Sequence, residues 1–459
     1  MARYSPRDAA PLSRSGSGPS FGCAPHCPRG PSPSSSVQSP GGRDAGDRDS
    51  DRGCTGGWRG GPPTTPPTLT PALAPGADRV LLLGARGLRA FGFGFSAVLI
   101  GVYLERRGLS PGLIGLTLGL GLAAASLSGL ASAKLAARFG RRRALSIAGL
   151  LMVLTGLDLA LAGPPGLLVA SGLTGMLGAA SVDLGPFASV EQAVLAEAVP
   201  ASARNVAFGR YSLTAGLFNA TGGLAATLAT GDSSGRAFFL LYAAIGVLTA
   251  VLPLLMSARV EAPGRPVAFG KLRPLAGLAA LFALDSLGGG FVANAVIAYW
   301  LHVRFAADVQ VLGPLFATVA ILQALSYEVS GRLGNRFGLV NTMVFTHLPS
   351  NVLLLLVPFS PSLTWAAGLL LARFALSQMD VPVRQAYVVS IVPPEERAGA
   401  VAMTGAVRGV AQSFGPVLAG LAIGAASFGL PFFAGGGLKI IYDIALFAGF
   451  RNRRAAHER

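Results

Sequence analysis

Between Arg79 and Phe450 the chain is a succession of long apolar runs separated by short polar breaks. The first group of runs covers about 80–104, 111–136, 144–162, 166–197, 205–230 and 237–257. The second covers about 274–303, 309–331, 339–358, 362–391, 399–425 and 428–449. A helix needs about 20 predominantly apolar residues to cross a bilayer, and no water-soluble bundle requires twelve such runs. The pattern predicts an all-α membrane protein with twelve transmembrane spans. Many runs carry Gly, Ala and Ser at close spacing, as from Gly115 to Gly129. Small residues let helices approach closely in lipid, where packing replaces the hydrophobic drive.

The polar breaks carry the second layer of information. Between spans 2 and 3 lies Ala133-Lys-Leu-Ala-Ala-Arg-Phe-Gly-Arg-Arg-Arg143. Four arginines there cannot sit in hydrocarbon, and Gly140 permits a tight reversal. After 198 residues Gly331-Arg-Leu-Gly-Asn-Arg-Phe-Gly338 follows, placing Arg336-Phe-Gly338 in register with Arg138-Phe-Gly140. The same offset aligns Gly92-Phe93 of span 1 with Gly290-Phe291 of span 7. In spans 4 and 10 the offset is 193: Val190-Glu-Gln-Ala193 aligns with Val383-Arg-Gln-Ala386, and Val199-Pro200…Arg204 with Val392-Pro393…Arg397. Two six-helix halves in parallel repeat follow, bounded at 78–257 and 274–449 and joined by a central loop over 258–273.

These motifs resemble those of the major facilitator superfamily. Its loop motif, G-x-L-A-D-R-x-G-R-R, is matched by Leu135, Ala136, Arg138, Gly140, Arg141 and Arg142, and in the second copy by Gly331, Leu333, Arg336 and Gly338. Val392-Pro-Pro-Glu-Glu-Arg397 resembles the family's V-P-P-E-E-R turn between spans 10 and 11. The resemblance covers about residues 79–450 and implies the superfamily fold, with spans 1, 4, 7 and 10 lining a central cavity. Two departures stand out: Ala133 replaces the first glycine, and the family's acidic position is Ala137 here and Asn335 in the second copy. In the family that aspartate helps latch the cytoplasmic side, so the latch is expected elsewhere.

Composition agrees with a membrane location. The 459 residues are 51% hydrophobic and 13% charged, with a mean hydropathy of +0.56. The net charge of +16 sits in a basic tail and in loops that punctuate apolar helices, which argues against nucleic acid as a partner. The Lys and Arg balance across loops places both termini and the basic turns on the cytoplasmic side, with Arg106-Arg107 as a local exception. The expected location is a plasma (inner) membrane of bacterial type, and the expected partners are the bilayer, a small molecule and protons, with the chain a monomer.

Residues 1–77 are rich in Pro, Gly, Ser and Arg without apolar periodicity, so disorder is expected. The segment lacks the apolar core of a secretory signal, and Asp8, Asp44, Asp47, Asp49 and Asp51 argue against a transit peptide. All three cysteines lie in it (Cys23, Cys27 and Cys54) with a spacing unlike common zinc sites. No metal and no cofactor are expected. Residues 450–459 form a short basic cytoplasmic tail.

Ionisable residues at membrane depth are costly and mark function. Arg86, Arg210 and Lys439 have a simpler account, snorkelling to headgroups. Asp158 is expected to be solvated near a span end, Glu328 to pair with Arg332 or Arg336, and Asp443 to pair with Lys439 one turn away. Seven residues remain as cavity or coupling candidates: Arg89, Asp183, Glu191, Asp285, Asp380, Arg384 and Arg408. Two pairings across the cavity are expected from the repeat, Arg89 with Asp285 and Glu191 with Arg384, the second as a gate between the halves that is closed when the cavity faces outward and broken when it faces inward; the alternative is that Glu191 and Arg384 each pair within their own half. The glycines of spans 1 and 7 are expected to serve close packing and a hinge.

A secondary transporter working by alternating access fits these features, with export by proton antiport suggested by the acids alone. No Walker motif occurs, so ATP is not the energy source. A non-transporting receptor or scaffold on the same fold would have no use for the buried charges. An intramembrane enzyme would need a nucleophile–base set or a metal cluster, yet the spans offer only His302 and His347 and no cysteine.

Overall fold

The computed structural model describes residues 76–161, 163–178, 185–198, 204–261, 276–390, 392 and 397–450. The N-terminal segment, most of the central loop, the basic tail and Asp183 therefore lie outside the described residues. Among the described residues each of the twelve apolar runs contains helix, and nine helices are long and apolar enough to cross a membrane. Side chains such as Leu154, Leu161, Phe359 and Ile441 stand exposed on them, a pattern that suits lipid and not water.

Span 1 is one helix, α1 (Ala77–Arg106). It is followed by α2 (Pro111–Phe139) and α3 (Arg141–Leu161). The Ser110 hydroxyl and Pro111 at the first helical position start α2. Span 4 is broken: α4 (Pro165–Ala170) runs into a short 3₁₀ turn, and α5 (Pro186–Ala198) forms its second part. Then come α6 (Arg204–Ala225) and α7 (Asp232–Val251). In the second half, span 7 is split into α8 (Ala276–Phe291) and α9 (Asn294–Phe305). Next are α10 (Val309–Phe337) and α11 (Leu339–Leu356). Span 10 is split into α12 (Leu363–Ser377) and α13 (Asp380–Ser390), and α14 (Arg397–Gly424) and α15 (Leu430–Phe450) finish the bundle.

The repeat is visible in the backbone. Gly140, between α2 and α3, has φ 92° and ψ 156°; Gly338, between α10 and α11, has φ 86° and ψ 157°. Side chains rarely adopt that region, so both basic turns depend on glycine. Crossings inside each half repeat as well. On α1, a carbon added at Gly94 would lie 2.1 Å from the Asn219 carbonyl oxygen of α6. On α8, one added at Gly290 would lie 2.1 Å from the Gln412 carbonyl oxygen of α14. These glycines serve close packing, as expected. In span 7 the helix stops right after Gly288–Gly290, whereas span 1 runs unbroken through its glycines.

The halves meet along two helix seams, α2 with α14 and α6 with α10, and where α1 touches α9. The first seam is tight from the end remote from the basic turns to its middle. Gly115 faces Pro416 and Gly420, Gly119 faces Ser413, and Gly409 faces Ser126. The second seam has Gly223 against Gly313 and Gly216 against Ala324. Nearer the basic turns, Gly209 and Gly405 have nothing within 4 Å of an added carbon. Among the described residues, the two seams are thus closely packed at the remote end, while Gly209 and Gly405 near the basic turns face open space.

Candidate functional site: two buried charge clusters

The first cluster joins α1, α5 and α6. Arg89 donates to both oxygens of Glu191, Nη1 to Oε1 at 3.0 Å and Nη2 to Oε2 at 2.7 Å, with the Arg89 side chain 1% exposed. The Tyr211 hydroxyl donates to Glu191 Oε2 at 2.7 Å, and the Arg89 guanidinium lies 4.0 Å from the Phe187 ring centroid. A parallel two-point pair with its remaining faces covered is the form in which an ion pair tolerates burial. Arg86, expected to snorkel, is instead fully buried with its guanidinium 4.1 Å from the Tyr211 ring centroid.

The second cluster centres on Asp285 of α8. Lys439 of α15 donates to its Oδ1 at 2.7 Å, and Arg384 of α13 reaches its Oδ2 at 3.3 Å. Arg384 also donates to Asp380 at 2.5 Å. His347 of α11 stands 3.7 Å from Asp285 through Nε2, while its Nδ1 is 2.8 Å from Asp443. Asn351 donates to the other Asp443 oxygen at 2.8 Å. Arg408 of α14 is half-buried and donates through Nε to Ser286 at 3.0 Å.

Neither cross-cavity pairing expected from the sequence is made here; each charge pairs inside its own half, the alternative that the sequence also offered for Glu191 and Arg384. Arg89 takes Glu191 and not Asp285; Arg384 takes Asp285 and Asp380 and not Glu191. What the repeat preserves is the pair itself, span 1 with span 4 and span 7 with span 10, with the signs exchanged. The Lys439–Asp443 pair is also overturned, and Lys439 does not snorkel. Its stem passes Gly288 and Gly289, whose missing side chains leave it room, and ends on Asp285. Arg210 is exposed and Asp158 half-buried. The Glu328 side chain lies outside the described residues, as does Asp183. Among the described residues no group of three His, Cys, Asp or Glu could hold a metal ion.

At the basic turns, Glu261 does what no sequence signal announced. Its carboxylate accepts from the backbone N–H of Arg141 at 2.6 Å and of Arg142 at 3.1 Å. An anion at the first N–H groups of a helix satisfies free donors and complements the helix dipole. Arg142 also donates to the Met256 carbonyl at 2.7 Å, and the Asp78 carboxylate holds the Ser257 backbone at 2.8 Å. At the remote end, Glu105 of α1 meets two residues of α9 across the halves. The Tyr299 hydroxyl and His302 Nε2 each stand 3.4 Å from it.

The model of the Major Facilitator Superfamily matches residues 82–284 and 278–459. The chain belongs to the major facilitator superfamily. An uncharacterized membrane protein of Saccharomyces cerevisiae is 24% identical over 410 residues, spanning 79% of this chain and 92% of that protein. Among solved structures, the nucleoside transporter NupG is similar with a TM-score of 0.66 at 14% identity, over 82% of this chain and 100% of that one. The D-xylose–proton symporter gives a TM-score of 0.63 at 17% identity, over 80% and 97%. At those identities the likeness is one of fold. In this superfamily member the aspartate missing at Ala137 and Asn335 has no stand-in reaching between the halves among the described residues. Glu261 replaces it locally, tying α3 to the end of its own half.

Proposed function

We propose that the protein is a secondary transporter of a small molecule, in which the two halves rock about a central site so that it opens to one side of the membrane at a time. The observation that carries this is the one-ended closure: both seams are packed at the remote end, while Gly209 and Gly405 near the basic turns face nothing. With the basic turns cytoplasmic by their charge, this is the inward-facing arrangement. The paired charges inside each half leave each half free to move as a unit, since no described ion pair between them at membrane depth has to break. Contacts between the halves include close approaches at glycines and the Glu105 contact at the remote end.

The gate is testable at Gly420. A larger residue there would collide with the Pro111 carbonyl oxygen, 2.4 Å from the first added carbon. Gly420→Leu is expected to hold the remote end open. Maleimide labelling of a cysteine placed at Ser413, buried in that seam, should rise several-fold in the Gly420→Leu background. Unchanged labelling would show that the seam does not open.

We assign proton coupling to the His347–Asp443 pair. The groups facing it are Asp285 of α8, Lys439 and Tyr442 of α15 and Asn351 of α11, with Arg384 of α13 one step away on Asp285. The His347 ring stands between the Asp285 and Asp443 carboxylates, 3.7 Å from one and 2.8 Å from the other. Asp443→Asn is expected to abolish accumulation driven by a pH gradient in proteoliposomes while exchange of substrate without a gradient persists. The sign of the gradient that drives accumulation gives the direction of transport. Persistence of gradient-driven accumulation in Asp443→Asn would remove this pair from coupling.

A further inference from the structure

We infer that the substrate is a small organic anion and that Arg408 binds its acidic group, an inference that rests on the transporter reading above. Three observations lead there.

The first is charge. At membrane depth in the second half the described cations are Arg373, Arg384, Arg408 and Lys439, against Asp285, Asp380 and Asp443. Lys439 and Arg384 share Asp285, Arg384 also holds Asp380, and Asp443 is taken by His347 and Asn351. Among the described residues no carboxylate is left for Arg373 or Arg408. Arg373 is 5% exposed, and its Nε and Nη1 have no hydrogen-bond partner. A cation excess in a poorly screened interior favours anions over neutral or cationic solutes.

The second is commitment. Arg89 and Arg384 spend their donors on carboxylates. Arg408 spends only Nε, on the neutral hydroxyl of Ser286; among the described residues its Nη1 and Nη2 have no partner. The paired edge of a guanidinium is the geometry that fits a carboxylate, sulfonate or phosphate oxygen pair.

The third is place. Gly409, the next residue, packs on Ser126 of α2 at the inward limit of the closed seam, and Gly405, one turn further toward the basic turns, faces nothing. Arg408 therefore stands at the depth where the packed seam ends, held to α8 through Ser286, and it is half-buried while Arg373 and Arg384 are buried. An anion bound there would touch the seam that has to open and close, so its binding would be felt by the conformational equilibrium.

The test uses the full chain in phosphatidylcholine nanodiscs and three probes of one shape: benzoate, benzamide and benzylamine. Benzoate is expected to raise the melting temperature and the other two are not. Arg408→Gln should weaken benzoate by about 10- to 100-fold, the loss of a charge-assisted hydrogen-bonded contact, while Arg408→Lys retains part of the binding and Arg210→Gln all of it. If Arg408→Gln does not fold, the lysine variant still decides, because its preference for benzoate over benzamide must survive in weakened form. A shift by benzamide or benzylamine equal to that by benzoate, or no shift by benzoate at all, overturns the anion. So does a benzoate shift unchanged in Arg408→Gln. Repeating the scan with phosphatidylglycerol present separates a lipid headgroup from a soluble anion: stabilisation by the lipid alone, lost in Arg408→Gln, would also overturn the substrate claim. None of these results bears on alternating access, which the Ser413 labelling experiment judges separately.

Discussion

Glu191→Gln is expected to cost about 3–5 kcal/mol of stability, the usual penalty for stranding one member of a buried ion pair. Arg89 would keep only the Phe187 ring and one weakened acceptor at 1% exposure. Tyr211 would lose the charge that draws its hydroxyl. The double replacement Arg89→Met with Glu191→Leu removes both charges at roughly constant volume, and it is expected to recover most of the loss, because the desolvation of two ions goes with their attraction. Melting of the purified protein, followed by tryptophan fluorescence, measures all three. The charge swap that distinguishes partners is Glu191→Arg with Arg89→Glu, which should regain stability. Glu191→Arg combined with Arg384→Glu should not, since Arg384 stands in the other cluster among Asp285 and Asp380. Recovery by the second combination would reinstate a pairing across the cavity.

The span pattern and the repeat were legible because they depend on local chemistry. Apolar length marks a helix in lipid, and a glycine between basic residues marks a turn, so Gly140 and Gly338 carry nearly identical backbone angles. The break in span 7 was legible too, after three successive glycines. The break in span 10 at Gln378 and Met379 carried a subtler signal, Pro382 one turn on, which has no N–H to give the Gln378 carbonyl. The pairing was not legible. Equivalence in a repeat fixes depth along the helix, but partner choice depends on how each helix is rotated about its axis. Arg89 and Glu191 are 102 residues apart, and no sequence spacing reports that they converge. Physics favours the answer found, since a pair spanning a moving cavity would be desolvated and rehydrated in every cycle, whereas a pair inside one half stays dry. Lys439 shows the limit of local rules, as Asp443 lies one turn away and yet two glycines on α8 open a path to Asp285. Arg408 and Glu261 differ in the same way. Depth in a span marks Arg408, while Glu261 has the sequence context of ordinary loop charge. Only the fold brings its carboxylate onto the α3 N-terminus.

Asp285→Asn is expected to be the most damaging single replacement in the second half. Asp285 is the shared acceptor of Lys439 at 2.7 Å and Arg384 at 3.3 Å, with His347 at 3.7 Å, and it is buried. Its loss strands more than one cation, so the penalty should equal or exceed the roughly 3–5 kcal/mol of a single broken pair. Set against a typical total stability of about 5–15 kcal/mol, that is enough to leave little folded protein after extraction. The cluster's wiring makes the rescue specific. Lys439 has no other carboxylate among its described contacts, whereas Arg384 keeps Asp380 at 2.5 Å. Lys439→Met in the Asp285→Asn background should therefore recover a large part of the monodisperse protein on size exclusion. Arg384→Met in the same background should recover little, because it abandons Asp380 without relieving Lys439. Equal rescue by the two would mean that Asp285 is shared evenly and that Asp380 does not hold Arg384. Rescue by Arg384→Met alone would place the stranded charge on α13 instead of α15.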